Sequence, residues 1–92
     1  MHTLLVIDDE KMLTDLLQQH FTNLGYLVYT ANDGDRALSL LDKDPDLILL
    51  DIMMEDFDGY DFCIKIRPLV SCPILFLTAR ITEEDRLKGF VI

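Results

Sequence analysis

Two cysteines among 92 residues, at positions 63 and 72, match neither the CxxC spacing of metal sites nor that of redox sites, so neither chemistry is indicated. Basic residues are also scarce: eight Lys and Arg stand against seventeen Asp and Glu, for a net charge of −9. That balance repels phosphate backbones, and no Lys/Arg stripe offsets it, so direct nucleic-acid binding is not expected. No apolar run approaches membrane-spanning length, which argues against a membrane role. Met1-His2-Thr3 leads straight into a strand pattern without a basic region or cleavable apolar segment, and the cytoplasm is the expected location. Repeats, low-complexity tracts and linkers are missing too, so residues 1–92 read as one domain. Half of the residues are hydrophobic, enough for a modest core.

Three short apolar runs stand out: Leu4-Leu5-Val6-Ile7, Leu47-Ile48-Leu49-Leu50 and Ile74-Leu75-Phe76-Leu77. Each stops at a polar group, respectively Asp8-Asp9, Asp51 and Thr78. Runs apolar at every position suit strands covered on both faces by helices, as parallel sheets require. Leu27-Val28-Tyr29-Thr30-Ala31 adds a fourth strand.

Helical patterns fill the gaps. Leu13, Leu16, Leu17, Phe21 and Leu24 recur at helical spacing up to Gly25. Asn32-Asp33-Gly34-Asp35 starts a second helix that turns Ala37, Leu38 and Leu41 inward, and Pro45 closes that region. Asp58 is placed to cap a third helix with Phe62, Cys63 and Ile66 inward. Pro68 should end it by pushing Arg67 out of α geometry. Thr82-Glu83-Glu84-Asp85 resembles a capping box before a fourth helix bearing Leu87, Phe90 and Val91. The order βαβαβαβα predicts an α/β fold with right-handed crossovers and a doubly wound parallel sheet.

In such sheets ligands bind beyond the carboxyl ends of the strands. If the first and third strands are neighbours, Asp8, Asp9 and Asp51 converge there. Two unit charges 4 Å apart repel by about 4 kcal/mol at an effective dielectric near 20. The site must therefore take up a proton or a cation, and an all-oxygen donor set favours Mg2+. Taken alone, an acidic pair after a strand is more often a helix N-terminal charge, and Thr78 alone is as often a loop hydroxyl bonded to backbone. The joint pattern favours a site.

The chain resembles the receiver domains of bacterial two-component response regulators through Leu4 to Glu10, Asp46 to Met54, Asp58 to Asp61 and Pro73 to Ala79. Residues 83–89 look like the DNA-binding regulator branch of that family. The resemblance implies a flavodoxin-like receiver fold in which Asp51 accepts a phosphoryl group from a sensor histidine kinase. It also implies that Asp9 and Asp51 ligate Mg2+, with the Met53 backbone carbonyl, while Asp8 acts through water or weakly. Thr78 would be the switch hydroxyl and Ala79 would leave room for the phosphate. A complete family member adds a fifth strand bearing a lysine and a fifth helix. Lys88, the only lysine after Thr78, stands in a helical pattern, so the phosphate-binding role is not carried onto it. The expectation is thus a C-terminally truncated receiver without effector domain and with impaired activity, whose bare sheet edge and Phe90-Val91-Ile92 ending drive a homodimer or swapped oligomer. Met53 and Arg80, the residues expected beside an attacking water, offer no base, so a phosphoryl group on Asp51 should hydrolyse slowly. Two competing readings are a non-catalytic interaction fragment and a Mg2+-dependent aspartyl phosphohydrolase. The latter usually has a second acid two residues after the nucleophile, where this chain has Met53.

Overall fold

The computed structural model describes residues 1–52 and 58–77. Four strands, β1 (Thr3–Ile7), β2 (Leu27–Ala31), β3 (Leu47–Asp51) and β4 (Ile74–Leu77), form one sheet in the order β2-β1-β3-β4. All three pairings are parallel, with Ile7 beside Ala31 and Leu50, and Asp51 beside Leu77. Three helices connect them: α1 (Lys11–Asn23), α2 (Gly34–Leu40) and α3 (Gly59–Ile66). The expected doubly wound architecture is what forms. The expected fourth helix, Thr78 at the end of the last strand, and the Phe90-Val91-Ile92 ending lie outside the described residues.

Alternation along each strand divides the core in two. Leu5, Ile7, Ile48, Leu50, Ile74 and Phe76 face α2 and α3, where Ala37, Leu40, Phe62, Cys63 and Ile66 meet them. Leu4, Val6 and Val28 face the other way, against Leu17 and Phe21 of α1. Burying one such aliphatic side chain contributes about 1.5–3 kcal/mol, so the paired layers are the main stabilising element. Cys63 and Cys72 are free buried thiols, and burial raises the pKa of each.

Helix α1 forms and stops where expected, but its buried face differs from the list of apolar positions. Leu16 and Leu24 are both exposed, while Thr14 is fully buried. The inward stripe runs through Thr14, Leu17 and Phe21 at i, i+3 and i+7, leaving Leu16 off it, and Leu24 is already the C-cap. Gly25 follows at φ 97°, the left-handed geometry that glycine adopts without penalty.

The end of α3 also differs. The helix stops at Ile66, but Arg67 stays in α geometry at φ −51° and ψ −46° and opens a 3-10 turn, Arg67–Leu69, with Pro68 inside it. The Arg67 guanidinium donates to Val70 O at 3.1 Å and Cys72 O at 2.5 Å, and these bonds hold the turn against the steric preference set by proline.

Asp33 caps α2 as its sequence context indicates, its Oδ1 accepting from Arg36 N at 2.7 Å. Asp33→Ala should lower stability by about 1 kcal/mol. In urea denaturation the midpoint should fall with an unchanged slope; an unaltered midpoint would show that solvent replaces the cap.

Candidate metal and phosphoacceptor centre

The order β2-β1-β3 means that the chain builds outward from β1 on one side, then crosses over to continue on the other. The crevice at that reversal lies between the carboxyl ends of β1 and β3. Ile7 and Leu50 are in register, so the next residues, Asp8 and Asp51, emerge side by side. One carboxylate oxygen from each of Asp8, Asp9 and Asp51 lies within 4.8 Å of the others. Asp8 and Asp51 are buried and Asp9 is half-buried.

Asp8 is tightly held. Its N–H donates to Ala31 O at 3.0 Å, and its Oδ1 accepts from Glu10 N at 2.9 Å, tying the carboxylate to the start of α1. Its Oδ2 is buried and has no hydrogen-bond partner among the described residues. Burial raises the Asp8 pKa to about 6, with the Asp51 and Asp9 charges pushing the same way and the Glu10 N–H opposing them. A buried carboxylate oxygen without a donor, facing two more carboxylates, fits a hard divalent cation. Mg2+ suits a site with few protein oxygens because it retains several waters.

The chain leaves this centre at Ile52 and returns at Asp58, the N-cap of α3, whose Oδ1 accepts from Tyr60 N at 2.7 Å. Gly59 N donates to Ile52 O at 3.2 Å, which ties the start of α3 to the end of β3 beside Asp51. Of the other residues expected at the site, Met53, Thr78 and Ala79 lie outside the described residues. Among the described residues the structure brings together Asp8, Asp9 and Asp51.

Two further residues support the centre without a site motif in the sequence pattern, Asn32 directly and Thr14 through it. The Asn32 side-chain amide donates to Asp8 O at 2.8 Å and to Thr14 Oγ1 at 3.0 Å. Thr14 Oγ1 in turn donates to Lys11 O at 3.0 Å. The one available signal was a threonine placed on the inward stripe of an apolar helix face; nothing local marked Asn32.

Comparison with known proteins gives a consistent result. A family model described as "Response regulator receiver domain" matches residues 4–92. The Bacillus subtilis (strain 168) protein named "Uncharacterized transcriptional regulatory protein YrkP" is 42% identical over 90 residues, covering 98% of this chain and 39% of that protein. The "Probable transcriptional regulator ycf27" of Guillardia theta is 42% identical over 86 residues, covering 92% of this chain and 34% of that protein. The chain thus spans well under half the length of these curated relatives. A crystal structure of the response regulator protein TrrA from Thermotoga maritima, in complex with Mg(2+)-BeF, matches with a TM-score of 0.78 at 34% identity, covering 87% of this chain and 71% of that one. Among the described residues no helix is long and apolar enough to cross a membrane.

Proposed function

The chain belongs to the response regulator receiver family, and from that premise we propose that Asp51 is its phosphoacceptor, charged by the phosphohistidine of a sensor histidine kinase. Receiver domains are signalling domains of two-component systems and not enzymes in the usual sense. In the proposed step an Asp51 carboxylate oxygen attacks phosphorus, the P–N bond to the donor imidazole breaks, and an acyl phosphate forms. Asp8, Asp9 and Asp51, with the Met53 backbone carbonyl, would hold Mg2+. The ion, when bound, neutralises charge that builds up on the phosphoryl oxygens during in-line transfer. The Thr78 hydroxyl would donate to a phosphoryl oxygen, and Ala79 would leave space for the group. The observation that carries this reading is the convergence of three carboxylates, one oxygen of each within 4.8 Å of the others, together with a buried Asp8 Oδ2 that has no hydrogen-bond partner among the described residues.

The chain's own residues have definable tasks in this reading. The Glu10 N–H and the β1–β2 ladder hold Asp8 in place, so the acidic cluster does not relax by swinging apart. Asp51, buried at the end of the central strand β3, presents its nucleophilic oxygen at a fixed position at the strand's carboxyl end. The expected homodimer or swapped oligomer would form through the β4 edge, which is the outer strand of the described sheet, and through the Phe90-Val91-Ile92 ending, which lies outside the described residues.

Incubation with acetyl phosphate and Mg2+, followed by intact mass and peptide mapping, tests the proposal. One added phosphoryl group on Asp51, lost in Asp51→Asn, is the expected result, and its decay should be slow. Decay within seconds would contradict the assignment of Met53 and Arg80 beside the attacking water. Continuous release of phosphate would point instead to a phosphohydrolase, and no addition at all to an interaction module. The same measurement gives the extent of any impairment in these 92 residues.

A further inference from the structure

At the end of the β1–β2 ladder a main-chain acceptor is left over. Asp8 N pairs with Ala31 O, and in a parallel ladder the next bond would bring a main-chain N–H two residues further along β2 to Asp8 O. That residue, Asp33, has instead turned away as the N-cap of α2. A side chain replaces it: Asn32 Nδ2 donates to Asp8 O at 2.8 Å. A main-chain oxygen can only accept, so the atom facing it is the amide nitrogen and the orientation of Asn32 is unambiguous. The second amide hydrogen goes to Thr14 Oγ1, fully buried in α1, and the threonine hydroxyl hydrogen goes to Lys11 O. Each donor in this chain of three bonds has one acceptor.

The carbonyl that Asn32 holds belongs to the Asp8–Asp9 peptide. Because a peptide unit is planar, fixing that oxygen fixes the plane from which Asp9 departs. Asp8 and Asp9 therefore cannot move away from Asp51 by rotating the peptide between them, although three clustered carboxylates favour such a movement when no cation is present. We propose that Asn32, anchored by Thr14, is a positioning residue that holds the Asp8–Asp9 peptide in the geometry demanded by Mg2+. This inference rests on the reading of Asp8, Asp9 and Asp51 as a cation site. Asn32 and Thr14 would touch no metal themselves and would act through the peptide that joins Asp8 to Asp9.

Loss of the anchor should weaken Mg2+ more than Ca2+. Mg2+ requires near-ideal octahedral geometry, whereas Ca2+ accepts variable coordination, so a loosened peptide penalises the smaller ion selectively. Supporting groups behind a ligand typically change metal affinity by about 10- to 100-fold. The experiment is calorimetric titration of the 92-residue protein with Mg2+ and with Ca2+, alongside thermal melting without divalent ions. Asn32→Ala should raise the Mg2+ Kd by about tenfold or more, with the Ca2+ Kd rising by no more than about threefold. Thr14→Val should shift the Mg2+ Kd in the same direction by less, and Thr14→Ser, which keeps the hydroxyl, should bind as the wild type does. If Asn32→Ala does not fold, the Thr14 pair decides the question by itself. Equal weakening of both ions, or a lower Tm with an unchanged Mg2+ Kd, would reduce the network to a structural role and overturn the proposal. So would a wild type that binds no Mg2+. A protein that binds Mg2+ as described but gains no phosphoryl group at Asp51 would instead overturn the phosphoacceptor reading and leave this one standing.

Discussion

Gly59→Ala should lower the stability of the domain by about 2–4 kcal/mol, against the direction that helix propensity predicts. Gly59 is the first residue of α3, where alanine ordinarily favours the helix by up to about 1 kcal/mol. Here a methyl group would run into main-chain atoms: the Cα of Ile52, Asp51 O at 2.5 Å and Ile52 C at 3.0 Å. A flexible side chain can yield to such a contact, but this segment is the end of β3, pinned between β1 and β4. Either the start of α3 moves out or the Asp51–Ile52 peptide moves in. In a domain of this size each kcal/mol shifts Tm by about 4–8 °C, so thermal melting should record a fall of about 10 °C or more. The same displacement reaches Asp51, so Mg2+ affinity should fall with it. An unchanged or raised Tm would mean that α3 packs less closely on β3 than these distances require.

The second large effect concerns Asp8. Its folded pKa of about 6 lies above its ordinary value of 3.8, so between these values the folded state binds more protons than the unfolded chain. Stability from this group is therefore fully present below about pH 4 and is lost as pH rises through 6. At 1.36 kcal/mol per pKa unit the loss amounts to up to about 3 kcal/mol by neutral pH without divalent ions. Asp8→Asn removes the charge while its Oδ1 remains available to the Glu10 N–H, and its new amide faces two carboxylates able to accept from it. In chelator at pH 8 the variant should be more stable than the wild type by about 2–3 kcal/mol, and its stability should vary less between pH 4 and 7. Adding Mg2+ should raise the Tm of the wild type and barely affect that of the variant. Urea denaturation across pH, with and without Mg2+, measures all of this. A wild type that gains stability from pH 5 to pH 8 in chelator would contradict the account, as would a variant less stable than the wild type at pH 8.

Both effects come from the same design. The centre keeps three carboxylates closer than they would choose, and close main-chain packing on each side prevents them from separating. Stability at neutral pH should therefore rise when a cation or a proton neutralises the cluster.

Much of this was legible along the chain, for identifiable reasons. Runs apolar at every position, each ending on an acid or a threonine, specify strands covered on both faces and where their carboxyl ends lie, because main-chain periodicity and burial leave few other arrangements for such runs. Asp58 was readable as a cap, and Asn32 to Asp35 as a helix start, because a cap acts within its own few residues. Tertiary structure decided what depends on separated segments meeting. Leu16 faces solvent because the buried stripe of α1 is set by the angle at which the helix crosses the sheet, not by its own list of apolar residues. Arg67 keeps α geometry because the carbonyls of Val70 and Cys72 come within reach of its guanidinium. Asn32 reaches Asp8 across 24 positions, and Gly59 must be glycine because Ile52 lies against it. Local sequence sets main-chain preferences and which surfaces seek burial; which distant atoms come to lie 3 Å apart is a property of the assembled sheet and its crossovers.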